Sequence, residues 1–210
     1  MTRSQLLYQV VRAEGDRGSV IALHGHNGSL RELGPLLQAL GPELRAVAVE
    51  AARGVYEGHL LTGYTWFGTG EDGRPEPASF GDSLWQVEQF VYDDRERQGP
   101  DPPAPFLLGY DLGGVLALAE ALVLPDHLSG VVSILGCMPE IPGWTPPAGR
   151  IDGFPILLVS DAEERSASAL ESSGADVQTL DIAGARELGP AVVAAVREWL
   201  RTHEPTGSHS

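Results

Sequence analysis

Between the apolar run Phe106–Leu108 and the apolar run that starts at Val115 lies the segment Gly109-Tyr110-Asp111-Leu112-Gly113, followed by Gly114. A strand that turns sharply into a helix is crowded at its tip. Glycines on both sides relieve the crowding, and in the pattern G-x-S-x-G such a turn presents a serine nucleophile. Here the tip residue is a carboxylate, Asp111. It could attack a substrate carbon and form an ester, or move a proton as a general acid or base. In an ordinary strand–helix turn it would simply cap the helix N-terminus. Two imidazoles, His24 and His26, sit in "LHGHNGS", at the end of another apolar run.

The elements that must position these groups alternate between strand and helix signals. Strands are expected at Leu6–Ala13, Gly18–Gly25 and Arg45–Ala52, with a short helix in "LRELGPLLQALG" between the last two. A long loop is expected from Arg53 to about Pro77. Phe80, Leu84, Val87, Phe90 and Val91 then recur at helical spacing, which predicts a helix from Ala78 to about Arg97 with Ser79 as its N-cap. Further along come strand "PFLLGY", helix "LGGVLALAEALVL", strand "SGVVSILG", a Pro/Gly loop and strand "PILLVS". A short helix near Ser166–Ser173, strand "DVQTLDI" and a final helix Leu188–Thr202, with Pro190 in its first turn, complete the pattern. This alternation predicts an α/β protein: a mostly parallel sheet with helices on both faces. Ligands on such sheets bind beyond the carboxyl ends of the strands. Those ends carry His24–Asn27, Asp111, Cys137–Met138, Ser160–Glu164 and Ala183–Arg186.

Composition narrows the function. A chain of 210 residues fits a single domain, here residues 1–203, with 204–210 as a frayed tail. The formal net charge of -15 argues against nucleic acid, whose phosphates need a basic face, so no nucleic-acid partner is expected. No apolar run reaches membrane-spanning length and "MTRSQLLYQV" lacks a signal-peptide core, so a cytoplasmic protein without a membrane partner is expected. A small molecule is the expected partner, and a homodimer is compatible with the sequence. Cys137 is the single cysteine, which excludes an intramolecular disulfide. All 14 basic residues are arginine, so lysine chemistry is excluded; arginine, alanine, glycine and proline richness points to a GC-rich bacterial source. His24 and His26 lack the carboxylate company of a metal site, and neither metal nor cofactor is expected.

The segments "VIALHGHNG", "YTWFGTGEDGRPEPASFGDSLWQVEQFV", "FLLGYDLGGVLALAEAL", "GVVSILGCMPE" and "PILLVSDAEE" occur in order over residues 18–164, and "VREWL" follows near the end. On these segments the chain resembles the α/β-hydrolase superfamily, in particular the compact carboxylesterase/phospholipase-type serine esterases. The resemblance implies an α/β-hydrolase fold with a minimal or absent cap domain. It also implies an oxyanion hole formed by the backbone N–H groups near His26 and at Leu112. The aromatic pair Trp66 and Phe67 matches the "WF" of the family, and with Tyr110, Cys137 and Met138 is expected to border the substrate.

The resemblance further implies a Ser-Asp-His triad, and this sequence departs from it at each member. Asp111 stands at the nucleophile position. Glu164, or else Glu163 or Asp161, stands where the family acid is expected, and Arg186 where its histidine is expected. Acyl-serine chemistry is therefore closed to this chain. Asp111 is left as an acid–base group for elimination, isomerisation or cyclisation of a small carbonyl compound, with His26, Arg186 and Glu164 around it. The composition suggests a bacterial biosynthetic pathway for such a reaction. The competing readings are a nucleophilic Asp111 acting on an ester, epoxide or carbon–halogen bond, and a protein that has lost catalysis and binds a ligand or partner.

Overall fold

The structure is a computed structural model that describes residues 4–15, 17–144, 150–161, 166–203 and 205. Seven strands form the main sheet: β1 (Tyr8–Arg12), β2 (Ser19–Leu23), β3 (Arg45–Val49), β6 (Phe106–Tyr110), β7 (Gly130–Ile134), β8 (Pro155–Ser160) and β9 (Asp176–Asp181). Their order is β1-β3-β2-β6-β7-β8-β9. Only β1 runs antiparallel; the other neighbours pair in parallel. Every residue of β2, β6 and β7 is buried, as strands covered on both faces must be.

The covering helices divide the core in two. On one face, α2 (Pro77–Arg97), α3 (Leu112–Val123) and α4 (Ala167–Ser172) contribute to a cluster with Ile21, Leu107, Val131 and Leu158. On the other, α1 (Gly34–Ala39) and α5 (Pro190–Thr202) enclose Val20, Phe106, Val132 and Leu157. Successive residues of each strand thus feed opposite cores, which is the strand period written in burial. Among the described residues no helix is long and apolar enough to cross a membrane.

Two expectations are corrected. Helix α2 is capped by Glu76, not Ser79: its carboxylate accepts the N–H groups of Ala78 and Ser79 at 3.0 and 2.7 Å. Pro77 then occupies the first helical position, where its missing N–H costs nothing. The segment from Arg53, expected as a loop, contains an antiparallel hairpin, β4 (Arg53–Glu57) and β5 (Leu60–Thr65). Gly58 makes its tight turn with φ of 63°. The hairpin leans on the loop after β2, where Tyr64 N–H donates to Gly28 O at 2.9 Å and Thr62 Oγ1 donates to Asn27 Oδ1 at 2.8 Å. Outside that contact Tyr56, Leu60 and Leu61 stay exposed.

Candidate active site

The site is built where β6 turns into α3. Asp111 has φ of 50° and ψ of -119°, a backbone state that an L-residue adopts at a cost. Two glycines make the turn sterically feasible. A Cβ on Gly109 would lie 2.1 Å from Gly113 O, and one on Gly113 would lie 2.3 Å from Leu23 O. The turn is fastened by Asp111 N–H donating to Ile134 O at 2.8 Å and Val115 N–H donating to Asp111 O at 3.1 Å. The carboxylate makes no bond to its own helix, so Asp111 is not an ordinary N-cap. Instead Oδ2 accepts the backbone N–H of His26 at 2.9 Å. Its half-buried side chain is reachable from solvent.

The two rim histidines have different roles. His24 is buried, and its Nε2 accepts Ala51 N–H at 3.0 Å. Nδ1 must then carry the proton and donate to Gly25 O, 2.7 Å away. Burial lowers its pKa, the bond to Gly25 O opposes that only in part, and the ring is a neutral brace for the loop. His26 is exposed, and its Nδ1 lies 3.1 Å from Thr65 Oγ1 on the hairpin. Among the described residues no imidazole bonds the Asp111 carboxylate. Leu112, half-buried, is the first residue of α3 and places its N–H at the helix's positive end.

Tyr110 links the elbow to the turn before α5. Its hydroxyl donates to the backbone O of Arg186 at 3.0 Å. Burial raises the phenol's pKa, and the charges of Glu32, Asp111 and Asp161 raise it further against the lowering effect of Arg186. Asp111, Arg186 and Tyr110 are therefore assembled at one place, with Asp161 at the end of β8 close by. Arg186 itself is exposed.

Glu32 is the residue that sequence reasoning missed. Its Oε2 accepts Gly25 N–H at 2.8 Å, the amide next to the one held by Asp111. Its pKa is raised by burial of the carboxylate and by the Asp111 charge, against the lowering effect of the Gly25 N–H. A signal was present: Ser29-Leu30-Arg31-Glu32 matches the capping-box spacing S-x-x-E. The carboxylate turns to Gly25 instead because the loop after β2 folds back over it. A Cβ on Gly28 would lie 2.5 Å from Glu32 Oε2.

Two other expected site residues fall elsewhere. Trp66 and Phe67 are core residues, 1% and 2% exposed, and do not line an open crevice. Trp66 Nε1 donates to His24 O at 2.8 Å, and Phe67 packs on Phe80 with ring centroids 4.9 Å apart. Their side chains are large enough to fill the space between the hairpin and α2, which an aromatic in a solvated loop would not do. Cys137 is exposed after β7; Met138 is half-buried, with its N–H donating to Ser166 Oγ at 2.8 Å. Glu163 and Glu164 lie outside the described residues. Among the described residues no group of three or more ligating side chains could hold a metal.

No family model matches the chain. It is 30% identical over 167 residues to NocK of Nocardia uniformis subsp. tsuyamanensis, whose name assigns it provisionally as an esterase. The match takes in 78% of this chain and 45% of that protein, so the chain spans less than half the relative's length. Among solved structures it is similar to a carboxylesterase from Mesorhizobium loti, with TM-score 0.78, 22% identity and 94% of each chain covered. It is also similar to the Bacillus cereus carboxylesterase, with TM-score 0.74, 17% identity and the same coverage of both chains. YahD, solved with malic acid, matches at TM-score 0.77 and 17% identity over 95% of this chain and 100% of its own. These likenesses, with the sheet order above, identify the fold as that of the α/β-hydrolases.

Proposed function

We propose that the protein is an α/β-hydrolase-fold enzyme that moves a proton on a small carbonyl-containing compound, with Asp111 as the acid–base group. The observation that supports this reading is the environment of the Asp111 carboxylate. It stands at the elbow tip, reachable from solvent, held by the His26 backbone N–H and, among the described residues, by no imidazole. Acyl transfer needs a nucleophile paired with a base, and a nucleophilic Asp111 would still need a base to send water onto its ester. Proton transfer needs only the carboxylate and donors for the substrate oxygen. The Leu112 N–H, with the His26 N–H once Asp111 leaves it, would supply those donors. Arg186, across Tyr110, would hold an anionic group on the substrate. Elimination, isomerisation and cyclisation next to a carbonyl all fit this arrangement.

The names of the relatives favour a second reading, ester hydrolysis, with Asp111 activating water against a carbonyl held by the same donors. The bond to His26 N–H favours a third, in which Asp111 fills the anion seat and the protein only binds.

One assay separates them. Solvent deuterium exchange at the carbon next to the carbonyl is followed by NMR for a panel of small keto acids and keto esters. Cleavage of p-nitrophenyl acetate is followed in parallel. The first reading expects exchange that falls about 10²–10⁴-fold in Asp111→Asn. Ester cleavage with the same fall selects hydrolysis. Undiminished turnover in Asp111→Asn sinks the role of Asp111, and no turnover of either kind by the wild-type protein selects the binding reading.

A further inference from the structure

A cavity of about 310 Å³ opens at the outer edge of the rim on which Asp111 stands. Antiparallel β1 begins beside the end of β3, and β3 lies two strands from β6. One wall of the cavity is the segment Ser4–Leu6 that leads into β1; Ala52, just after β3, adjoins it. The other wall is a face of α2. There Trp85 and Gln89 stand four residues apart and Gln86 and Gln89 three, so the three side chains are neighbours. The cavity shares no residue with the Asp111 site. Its first wall is tied at both ends: Ser4 N–H donates to the buried Asp93 carboxylate on α2, and Leu7 O accepts Glu50 N–H at 2.8 Å.

Two features of this place have no role in packing. Trp66 and Trp199 are buried, whereas Trp85 is 54% exposed and leaves much of its indole uncovered. Gln86 Oε1 is shut off from solvent and has no hydrogen-bond partner among the described residues. An acceptor left alone beside a cavity calls for a donor from outside the chain.

We propose that this cavity binds the ring of an uncharged sugar, one C–H face of the ring resting on the Trp85 indole and its hydroxyls bonded to Gln86 and Gln89. The walls select this class. Among the described residues no charged side chain lines the cavity, so an ion would enter without a counter-charge. A hydrocarbon ring would leave the two carboxamides and Ser4 facing nothing. A sugar ring is apolar on its faces and carries hydroxyls around its edge, each of them both donor and acceptor. A carboxamide matches them with an acceptor oxygen and a donor nitrogen. The last torsion of glutamine is soft, so a small turn aims Gln86 Oε1 into the cavity, where a ligand hydroxyl donates to it. The volume is at the lower end for ligand cavities and suits one ring. Nothing in this proposal depends on the role of Asp111, and no bond is made or broken.

The test uses the whole ¹⁵N-labelled protein. D-Glucose, D-galactose, D-mannose and D-xylose are titrated one at a time, with glucose 6-phosphate as the charged counterpart. The Trp85 indole N–H and the side-chain amides of Gln86 and Gln89 are followed by NMR. At least one neutral sugar is expected to shift all three signals along one saturating curve, and glucose 6-phosphate is expected to leave them in place. Trp85→Ala should weaken that binding about tenfold or more, as loss of an aromatic anchor does. Gln86→Leu should weaken it about tenfold, the cost of a ligand hydroxyl left without its partner. Should Gln86→Leu disturb the fold, Trp85→Ala decides alone, since its indole is half in water already. Absence of any shift with all four sugars at about 100 mM, far above millimolar affinity, overturns the proposal. Binding that Trp85→Ala leaves unchanged, or equal binding of glucose 6-phosphate, overturns it as well.

Discussion

Asp94 in the last turns of α2 and Glu120 in the last turn of α3 are both 0% exposed, yet the molecule treats the two carboxylates in opposite ways. Asp94 receives both arms of the Arg45 guanidinium, at 2.7 and 2.8 Å, and the Gln98 amide at 3.1 Å. Glu120 has no hydrogen-bond partner on either oxygen among the described residues, and the charge that acts on it is that of Glu88, another acid. Burial, reinforced by Glu88, raises its pKa well above the ordinary value of 4.5. Asp94 is a buried charge that was given a counter-charge. Glu120 is a buried carboxyl group that keeps its proton instead. Asp111, just before the first residue of the same helix as Glu120, lies between these extremes, with a backbone amide for a partner and a face open to water.

Removing the counter-charge breaks this comparison most severely. Arg45→Met leaves Asp94 buried beside only Gln98 and the more distant Arg97, and should cost about 3–5 kcal/mol in urea unfolding. A loss below about 1 kcal/mol would show that Asp94 was never committed to its charge.

Replacing the unpaired group works in the opposite direction. Glu120→Met fills the same space without an unsatisfied polar group and should stabilise by about 1–3 kcal/mol. Its pH dependence sharpens the point. A raised folded-state pKa means that the native chain holds a proton the unfolded chain releases above about pH 4.5. Wild type therefore loses stability as pH rises from that value towards the folded pKa, and the advantage of Glu120→Met should widen over that range. An advantage that stayed flat with pH would mean that Glu120 is ionised, or hydrated, in the native state.

The smallest effect belongs to the rim. Thr65→Val removes the hydroxyl that Nδ1 of His26 faces and should cost about 0.5–1 kcal/mol, as a half-exposed hydrogen bond does. The His26 N–H bond to Asp111 should survive, because it depends on the loop backbone and not on the ring.

How much of this was legible in sequence depended on whether a residue's role is local. The elbow could be read because its glycines, its apolar strand and its apolar helix lie within a short stretch of chain. Helix α2 was legible from the spacing of Phe80, Leu84, Val87, Phe90 and Val91, but its cap was misjudged by three residues, since Glu76 and Ser79 are both able acceptors and Pro77 decides between them. The β4–β5 hairpin escaped notice because Leu60 and Leu61 break the alternation of a half-buried strand, and both are exposed. Trp66 and Phe67 match a family-like "WF" that suggests the crevice, and nothing local says that the chain turns them into the core just after β5. Glu32 had a recognisable pattern, and that pattern pointed to the wrong amide. The partner it takes, Gly25, is set by the fold of the loop over it, which no short window contains.

The bond between Asp111 and His26 joins positions 85 residues apart in the chain. Contacts of such long sequence separation come late, after the loop-closure entropy between them has been overcome. A chain that has formed β1, β2 and β3 but not β6 has the loop and Glu32, with nothing at the His26 amide. On this argument the seat is completed when the centre of the sheet closes, and assembly of the site and consolidation of the fold are expected to be one event. Slow hydrogen exchange at the His26 amide, matching that of the β6 amides, would be its kinetic signature.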